Sequence, residues 1–295
     1  MKRKSFIIIF SILIAACFVS GPKTSLALEQ TKKEKLLQQI EILRQEILAL
    51  QALVSNMQLR QEISASSYLA INLSDNSVIS EKNAGKSYPM ASVTKLMAAI
   101  VALENIDRSQ TITLTEETLK PLGRSPSLFL GLNASAENLL KAGLIQSSND
   151  AMESLAYFLG KEKFLTLMNQ KAKELGMANT IFYDAHGLNP ANRSTAQDLV
   201  KLLSYVYKNH PEILNITKNN DFWLPDSAGK PLKFKNLNNF YFLAEFIGGK
   251  TGYLLEAKQT LAAIFNVKGN PVAIVILYSN NRQADAFSIL RKIGN

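Results

Sequence analysis

Hydrophobic positions change their period several times along this chain. Between residues 36 and 57 they recur in alternating steps of four and three, at Leu36, Ile40, Leu43, Ile47, Leu50, Val54 and Met57. That is a heptad seam. The β-branched Ile40, Ile47 and Val54 fall at a, and Leu36, Leu43 and Leu50 at d, a choice that favours a parallel dimer. One amphipathic helix lying on its own domain would carry the same pattern. As a stalk, a helix over 28–63 would reach roughly 45 Å for every thirty residues. The period changes from residue 66. SYLAINL and SVISEKN read as two strands joined at Ser74-Asp75-Asn76, a turn-rich tripeptide. An apolar helix follows within YPMASVTKLMAAIVALE, residues 88–104. From Thr111 to Lys208 the pattern is mostly helical, with short loops at GRSPS and HGLNPANRS. Residues 217–239, rich in Asn, Lys, Gly and Pro, read as a long connection. LAAIFNV and PVAIVILYS form a hairpin about Lys268-Gly269-Asn270, and ADAFSILRKI closes the chain as a helix. Strands at both ends with helices between predict an α/β (α+β) fold. Its single sheet is assembled from distant segments and flanked by a helical lobe.

The N-terminus sets a different expectation. MKRKSFIIIFSILIAACFVS has a basic start and an apolar run from Phe6 to Ser20, the layout of an export signal. Three fates are open for residues 1–27. Ser25-Leu26-Ala27 has the small-x-small form of a cleavage site. Ile14-Ala15-Ala16-Cys17 loosely resembles a lipoprotein box, with lipid on Cys17. The run could also stay as an anchor, though it is short for a span. In each case Lys2, Arg3 and Lys4 face inward, so the remainder is extracytoplasmic.

Of the 295 residues, 33 are basic and 24 acidic, a net charge of +9. Lys2, Arg3, Lys4 and Lys23 belong to the leader, which leaves an excess of five on the rest. That mild surplus suits an anionic envelope polymer or lipid headgroups, and no dense basic stripe points to nucleic acid. Cys17 is the single cysteine, so no intrachain disulfide forms. His186 and His210 are too few and too far apart for a typical zinc site, and no cofactor is called for.

Within the apolar 88–104 stretch, Ser92 and Lys95 stand three residues apart and share one helix face. A serine hydroxyl is a poor nucleophile until something takes its proton, and a lysine can take it only as the neutral amine. Burial and nearby positive charge both lower a lysine pKa. On its own the spacing is weak. Ser227-Ala228-Gly229-Lys230 repeats it, chance gives on the order of one match in such a chain, and a capping Ser92 with a solvated Lys95 is the plain alternative. Two further elements change that. Ser147-Ser148-Asn149 lies where one helix gives way to the next, so that a hydroxyl and an amide project together. Lys250-Thr251-Gly252 opens the late strand region, offering a cation and a hydroxyl to a carboxylate. Its glycine lets a ligand backbone approach. Ser74-Asp75-Asn76 and Ser279-Asn280-Asn281 mimic the middle element but fall in the wrong order.

With these three motifs in sequence, residues 66–295 resemble the low-molecular-mass penicillin-binding proteins, the serine-type D-alanyl-D-alanine carboxypeptidases (peptidase family S11). The likeness extends to LLKAGLIQSSNDA, FYDAHGLNPANRSTAQDL, FIGGKTG and NRQADAF. It implies the penicillin-binding, transpeptidase-like fold, with an antiparallel sheet flanked by helices and a helical lobe. It also implies hydrolysis of the terminal D-Ala-D-Ala bond of peptidoglycan stem peptides, with β-lactams as covalent inhibitors and no cofactor or metal. Ser92 would be the nucleophile and Lys95 its base. Ser147 and Lys250 would relay protons, Asn149 would position the substrate amide, and Thr251 and Arg282 would take the terminal carboxylate. The N–H groups of Ser92 and Tyr253 would form the oxyanion hole. His186 is not expected to complete a triad. Trp223 and Tyr241 are expected in core or linker packing rather than in a groove. The chain departs from the family after Gly252, where Leu254 replaces a hydroxyl residue. A catalytically weak scaffold that binds wall peptides is therefore a second expectation, and a DD-endopeptidase or β-lactamase a more distant one. The family's C-terminal membrane module is not expected here. The N-terminal segment and a homodimeric 36–57 stalk would replace it.

Overall fold

The computed structural model describes residues 30, 32–51, 62–121, 128–225 and 229–294. It divides into two units, Met1–Gln61 and Glu62–Asn295. In the first, a helix α1 covers 32–51. Leu36, Ile40, Leu43, Ile47 and Leu50 along it are all 40–60% exposed. Val54, Met57 and the leader lie outside the described residues, among which no helix is long and apolar enough to cross a membrane.

The second unit begins with β1 (Ser67–Asn72), β2 (Val78–Lys82) and β3 (Tyr88–Pro89), then a 3-10 turn (Ala91–Thr94) and α2 (Lys95–Asn105). A small hairpin of β4 (Thr111–Thr113) and β5 (Asn133–Ser135) leads into α3 (Ala136–Ile145), α4 (Asn149–Leu159) and α5 (Lys161–Glu174). After β6 (Arg193–Ser194) come α6 (Ala196–Asn209), α7 (Pro211–Lys218) and the hairpin β7 (Asp221–Pro225) and β8 (Pro231–Lys235). Long strands β9 (Phe246–Leu254), β10 (Lys258–Val267) and β11 (Asn270–Ser279) precede α8 (Arg282–Gly294).

Five strands form one antiparallel sheet in the order β2-β1-β11-β10-β9. β1 pairs with β11 from Ser67 opposite Leu277 to Asn72 opposite Val272, so the two ends of this unit meet in the sheet. Side chains alternate faces along a strand. On one face Leu69, Ala262, Ile264, Val275 and Leu277 join the core of the helical lobe. On the other, Tyr68, Leu261, Phe265, Ile274 and Ile276 pack with Phe240, Phe246 and α8's Ala286 and Ile289. Both faces are covered, which is why β10 and β11 read as nearly continuous apolar runs. α2 is the axis of the lobe. Every residue from Lys95 to Ala102 is at most 4% exposed, as expected of a helix apolar on all sides.

The observed architecture is the expected antiparallel sheet with flanking helices and a helical lobe. The 217–239 stretch differs from expectation: it holds α7's end and the β7–β8 hairpin, not a long connection. Phe222 stacks on Phe234 with centroids 4.6 Å apart, and Phe234 and Leu224 are buried. The interleaved lysines and prolines hid that alternation. Trp223 is likewise not core, being 54% exposed on β7 with Lys233 over its ring at 4.8 Å. Tyr241 is half-buried, edge-on to exposed Phe242.

Candidate active site

Ser92 lies in the 3-10 turn, not within an α-helix, and Lys95 is the first residue of α2. A 3-10 turn places side chains three apart almost in register, and Lys95 Nζ stands 3.1 Å from Ser92 Oγ. The turn is fixed from outside. The Met90 N–H donates to the Asn192 carbonyl at 3.0 Å, and Thr260 Oγ1 on β10 donates to the Met90 carbonyl at 3.0 Å. Ala91, just before Ser92, has φ +49°, a costly conformation for a residue with a Cβ and one that gathers at functional sites. Lys95 is wholly buried. Burial outweighs the attraction of Asp184 and brings its pKa down to about 7.

The middle motif divides its work among three residues. Ser148 is the N-cap of α4, its hydroxyl accepting from the Ala151 N–H at 3.1 Å. Ser147 precedes it at φ +59° and faces the cleft. Asn149, the first helical residue, accepts from Lys95 Nζ through Oδ1 at 2.8 Å.

The third motif lies on β9, the edge strand beside the nucleophile turn. Lys250 and Thr251 are buried, and Lys250 Nζ donates to the Thr251 carbonyl at 2.9 Å. Burial, then the charges of Lys95 and Arg282, hold the Lys250 amine well below its ordinary pKa. Gly252 has to be glycine. A Cβ there would lie 2.5 Å from Thr260 Oγ1, 2.8 Å from the Ser92 nitrogen and 2.9 Å from Ala91 Cβ. Arg282, opening α8, donates from Nη1 to the Gly252 carbonyl at 3.0 Å. The exposed Tyr253 ring forms part of the rim.

These elements enclose a cleft of about 440 Å³. Ser92, Ser147, Asn149, Thr251, Gly252, Tyr253 and Arg282 line it, with Lys95 and Lys250 buried behind. Among the described residues, no carboxylate lines it. Leu254, on the apolar wall with Leu188 and Leu237, continues the strand in register opposite Lys258. The rejected mimics stay apart. Ser74-Asp75-Asn76 turns between β1 and β2, and Ser279 is buried on Asp285 at 2.6 Å. Ser227 and Ala228 lie outside the described residues. The His186 ring faces Glu153 and Asp184, at 3.7 and 3.4 Å, while its backbone carbonyl accepts from Lys95 Nζ at 2.5 Å. That carbonyl, and Leu237 from the supposed connection, were missed from the sequence. A main-chain acceptor leaves no residue signature, although the HGLN stretch had stood out.

A buried amine with its pKa near 7 beside a hydroxyl, in a cleft backed by further cations, is suited to transferring an acyl group from a carboxylate-bearing substrate. Solved structures place the architecture in the penicillin-binding, DD-peptidase class of folds. A D-alanyl-D-alanine carboxypeptidase from Mycobacterium tuberculosis superposes with a TM-score of 0.73 at 26% identity, over 79% of this chain and 92% of that one. Penicillin-binding protein D2 from Listeria monocytogenes, solved with cefotaxime bound, gives 0.69 at 26% identity, over 80% and 98%. The model of the D-alanyl-D-alanine carboxypeptidase family matches residues 53–281, and the chain belongs to that family. A D-alanyl-D-alanine endopeptidase from Haemophilus influenzae is 34% identical over 224 residues, 74% of this chain and 76% of that protein.

Gly252→Ala would force β9 off the nucleophile turn. The expected cost is about 1–3 kcal/mol of stability, the usual price of overpacking, measured as a lower urea midpoint. An unchanged midpoint would mean that the strand and the turn are not in close contact.

Proposed function

We propose that this chain hydrolyses the terminal D-Ala-D-Ala bond of peptidoglycan stem peptides through an acyl-enzyme on Ser92. The observation that carries this is the wholly buried Lys95, its pKa near 7, with Nζ 3.1 Å from Ser92 Oγ. Ser92 Oγ attacks the carbonyl before the last D-alanine, and Lys95 Nζ takes its proton. The N–H groups of Ser92 and Tyr253 receive the oxyanion, a contribution on the order of 3–4 kcal/mol per donor. Asn149 orients the substrate amide, and Thr251 and Arg282 hold the terminal carboxylate. As the tetrahedral intermediate collapses, the C–N bond breaks and the leaving amine takes a proton relayed by Ser147 and Lys250. Water then cleaves the ester, releasing the shortened peptide and restoring the hydroxyl. β-Lactams would acylate the same hydroxyl. The undisturbed pairing of Gly252 with Thr260, Tyr253 with Gln259 and Leu254 with Lys258 supports catalysis over a binding-only scaffold.

Intact-mass measurement after exposure to benzylpenicillin should find one adduct on the wild type and none on Ser92→Ala, and a D-Ala-D-Ala peptide should release free D-alanine. A folded wild type without adduct would sink the acyl-enzyme. An adduct with cleavage only of cross-linked peptides would assign the chain to the endopeptidases.

The reactive form of Lys95 is the amine, which predominates above its pKa. Acylation is therefore expected to be half-maximal near pH 7 and to fall about tenfold for each unit below it. A rate flat down to about pH 5 would exclude Lys95 as the base.

The leader and heptads extend this proposal to location. Residues 1–27 export the chain as a cleaved signal, a lipidated end at Cys17 or a retained anchor, and the heptad helix spaces the enzyme from the membrane as a parallel dimer. The exposed seam from Leu36 to Leu50 supports that role. Chemical cross-linking should give dimers for residues 28–295 and monomers for 62–295. Monomers from both would remove the dimer.

A further inference from the structure

Lys95 Nζ has a third partner besides Ser92 and Asn149, the His186 carbonyl, which accepts from it. This carbonyl belongs to no helix or strand. It lies in the 184–192 loop, so something must hold it against a buried amine. The Asp184 carboxylate is placed to do so. Its Oδ1 accepts from the N–H groups of His186 (3.1 Å) and Gly187 (2.5 Å) and from Asn192 Nδ2 (2.8 Å). Its Oδ2 accepts from the Asn189 N–H at 2.7 Å and lies 3.4 Å from His186 Nδ1. One carboxylate thus closes the loop on three main-chain donors. Asn192, fully buried, fastens the loop to the nucleophile turn: besides accepting from Met90, it donates from Nδ2 to Thr94 Oγ1 at 3.2 Å. Gly187, at φ +88°, passes so close that a Cβ would lie 2.1 Å from the Ala91 carbonyl oxygen.

We propose that Asp184 is a positioning residue for Lys95: its carboxylate folds the 184–192 loop so that the His186 carbonyl holds Nζ against Ser92 Oγ. This rests on Lys95 being the base for Ser92. The carboxylate has a second, signed effect. Its charge favours the ammonium form of Lys95, opposing the burial that favours the amine. The other charged or titratable groups around this centre are Lys250 of β9, with Arg282 of α8 behind it, and His186. The His186 ring lies between Asp184 and Glu153 of α4, with Lys161 bound to Glu153 at 2.5 Å. Removing the Asp184 charge alone lets the Lys95 amine persist to lower pH. A part that only braced the loop would change the rate without moving that limb.

The test is the acylation rate with benzylpenicillin, followed by intact mass from about pH 5 to about pH 9. It compares the whole wild-type chain with Asp184→Asn and Asp184→Glu. Asp184→Asn should lose on the order of 10–10²-fold in plateau rate, from misplacement of the amine, and its acid limb should move to lower pH. Asp184→Glu keeps the charge but shifts it by a methylene. It should lose rate with the limb where the wild type has it. A wild-type rate in Asp184→Asn, or a rate loss with an unmoved limb, overturns the proposal. If that variant fails to fold, a wild-type rate in Asp184→Glu overturns it instead. An unmodified wild type is a separate result that removes the Ser92–Lys95 chemistry itself, and the role of Asp184 with it.

Discussion

The cleft depends on keeping one lysine amine dry. Moving the Lys95 pKa from 10.5 to about 7 corresponds to about 5 kcal/mol of destabilised ammonium, which the rest of the fold must offset. It does so by burying α2 on all sides, with Leu96, Met97, Ile100 and Val101 all at most 1% exposed. As a neutral amine it donates to Asn149 Oδ1 and to the His186 carbonyl and turns its lone pair to the Ser92 hydroxyl, 3.1 Å away. Those partners come from the turn, from α4 and from the 184–192 loop, so all three must be assembled before the amine is tuned. Burial together with polar partners is the combination that lets a lysine be neutral without being orphaned.

Assembly of that environment is a long-range matter. Ser92 belongs to the first third of the second unit and Lys250-Thr251-Gly252 to the last. They meet because β1 is drawn against β11, while β10 carries β9 to the edge. Thr260 reports on this directly: its hydroxyl reaches the Met90 carbonyl across 170 residues of sequence. Gly252 sets the distance of closest approach. Loop closure over such separations is costly in entropy, and the two apolar layers on either face of the sheet supply the compensation. The catalytic constellation is thus a late product of the fold and not a property of any one element.

What could be seen in the sequence follows from that division. Ser92 and Lys95 were legible because three-residue spacing places them together in any helical turn, even though the turn is 3-10. The β10–β11 hairpin and the heptads were legible because one period runs through each. Ser147-Ser148-Asn149 and Lys250-Thr251-Gly252 were legible as an ordered set, although nothing local says that they converge. The β7–β8 hairpin was hidden because Phe222, Leu224, Leu232 and Phe234 alternate with Lys233, Lys235 and two prolines. Asp184 was hidden for a different reason. Its partners are mostly backbone N–H groups, which every residue but proline carries. The strained φ of Ala91 and Ser147 went unseen for the same reason, since neither residue type announces a left-handed backbone.

Among the described residues, Lys95, Lys250 and Arg282 lie at the cleft, and their chemistry separates their tasks. Lys95 and Lys250 share a buried region in which the Lys95 ammonium disfavours that of Lys250. A lysine so placed gives up its proton readily, which suits proton transfer and makes it a poor fixed charge. Arg282 is half-buried and tied through its guanidinium to the Gly252 carbonyl. A guanidinium stays charged under conditions in which these lysines do not, and its planar donors match a carboxylate. That chemistry favours Arg282, with Thr251, as the carboxylate anchor of the proposed reaction. Lys95 and Lys250 are left free to change charge as the reaction proceeds. The lack of an acidic lining residue among the described residues serves the same end. A carboxylate in the cleft wall would compete with the substrate for Arg282 and would add to the pull of Asp184 toward the ammonium form of Lys95.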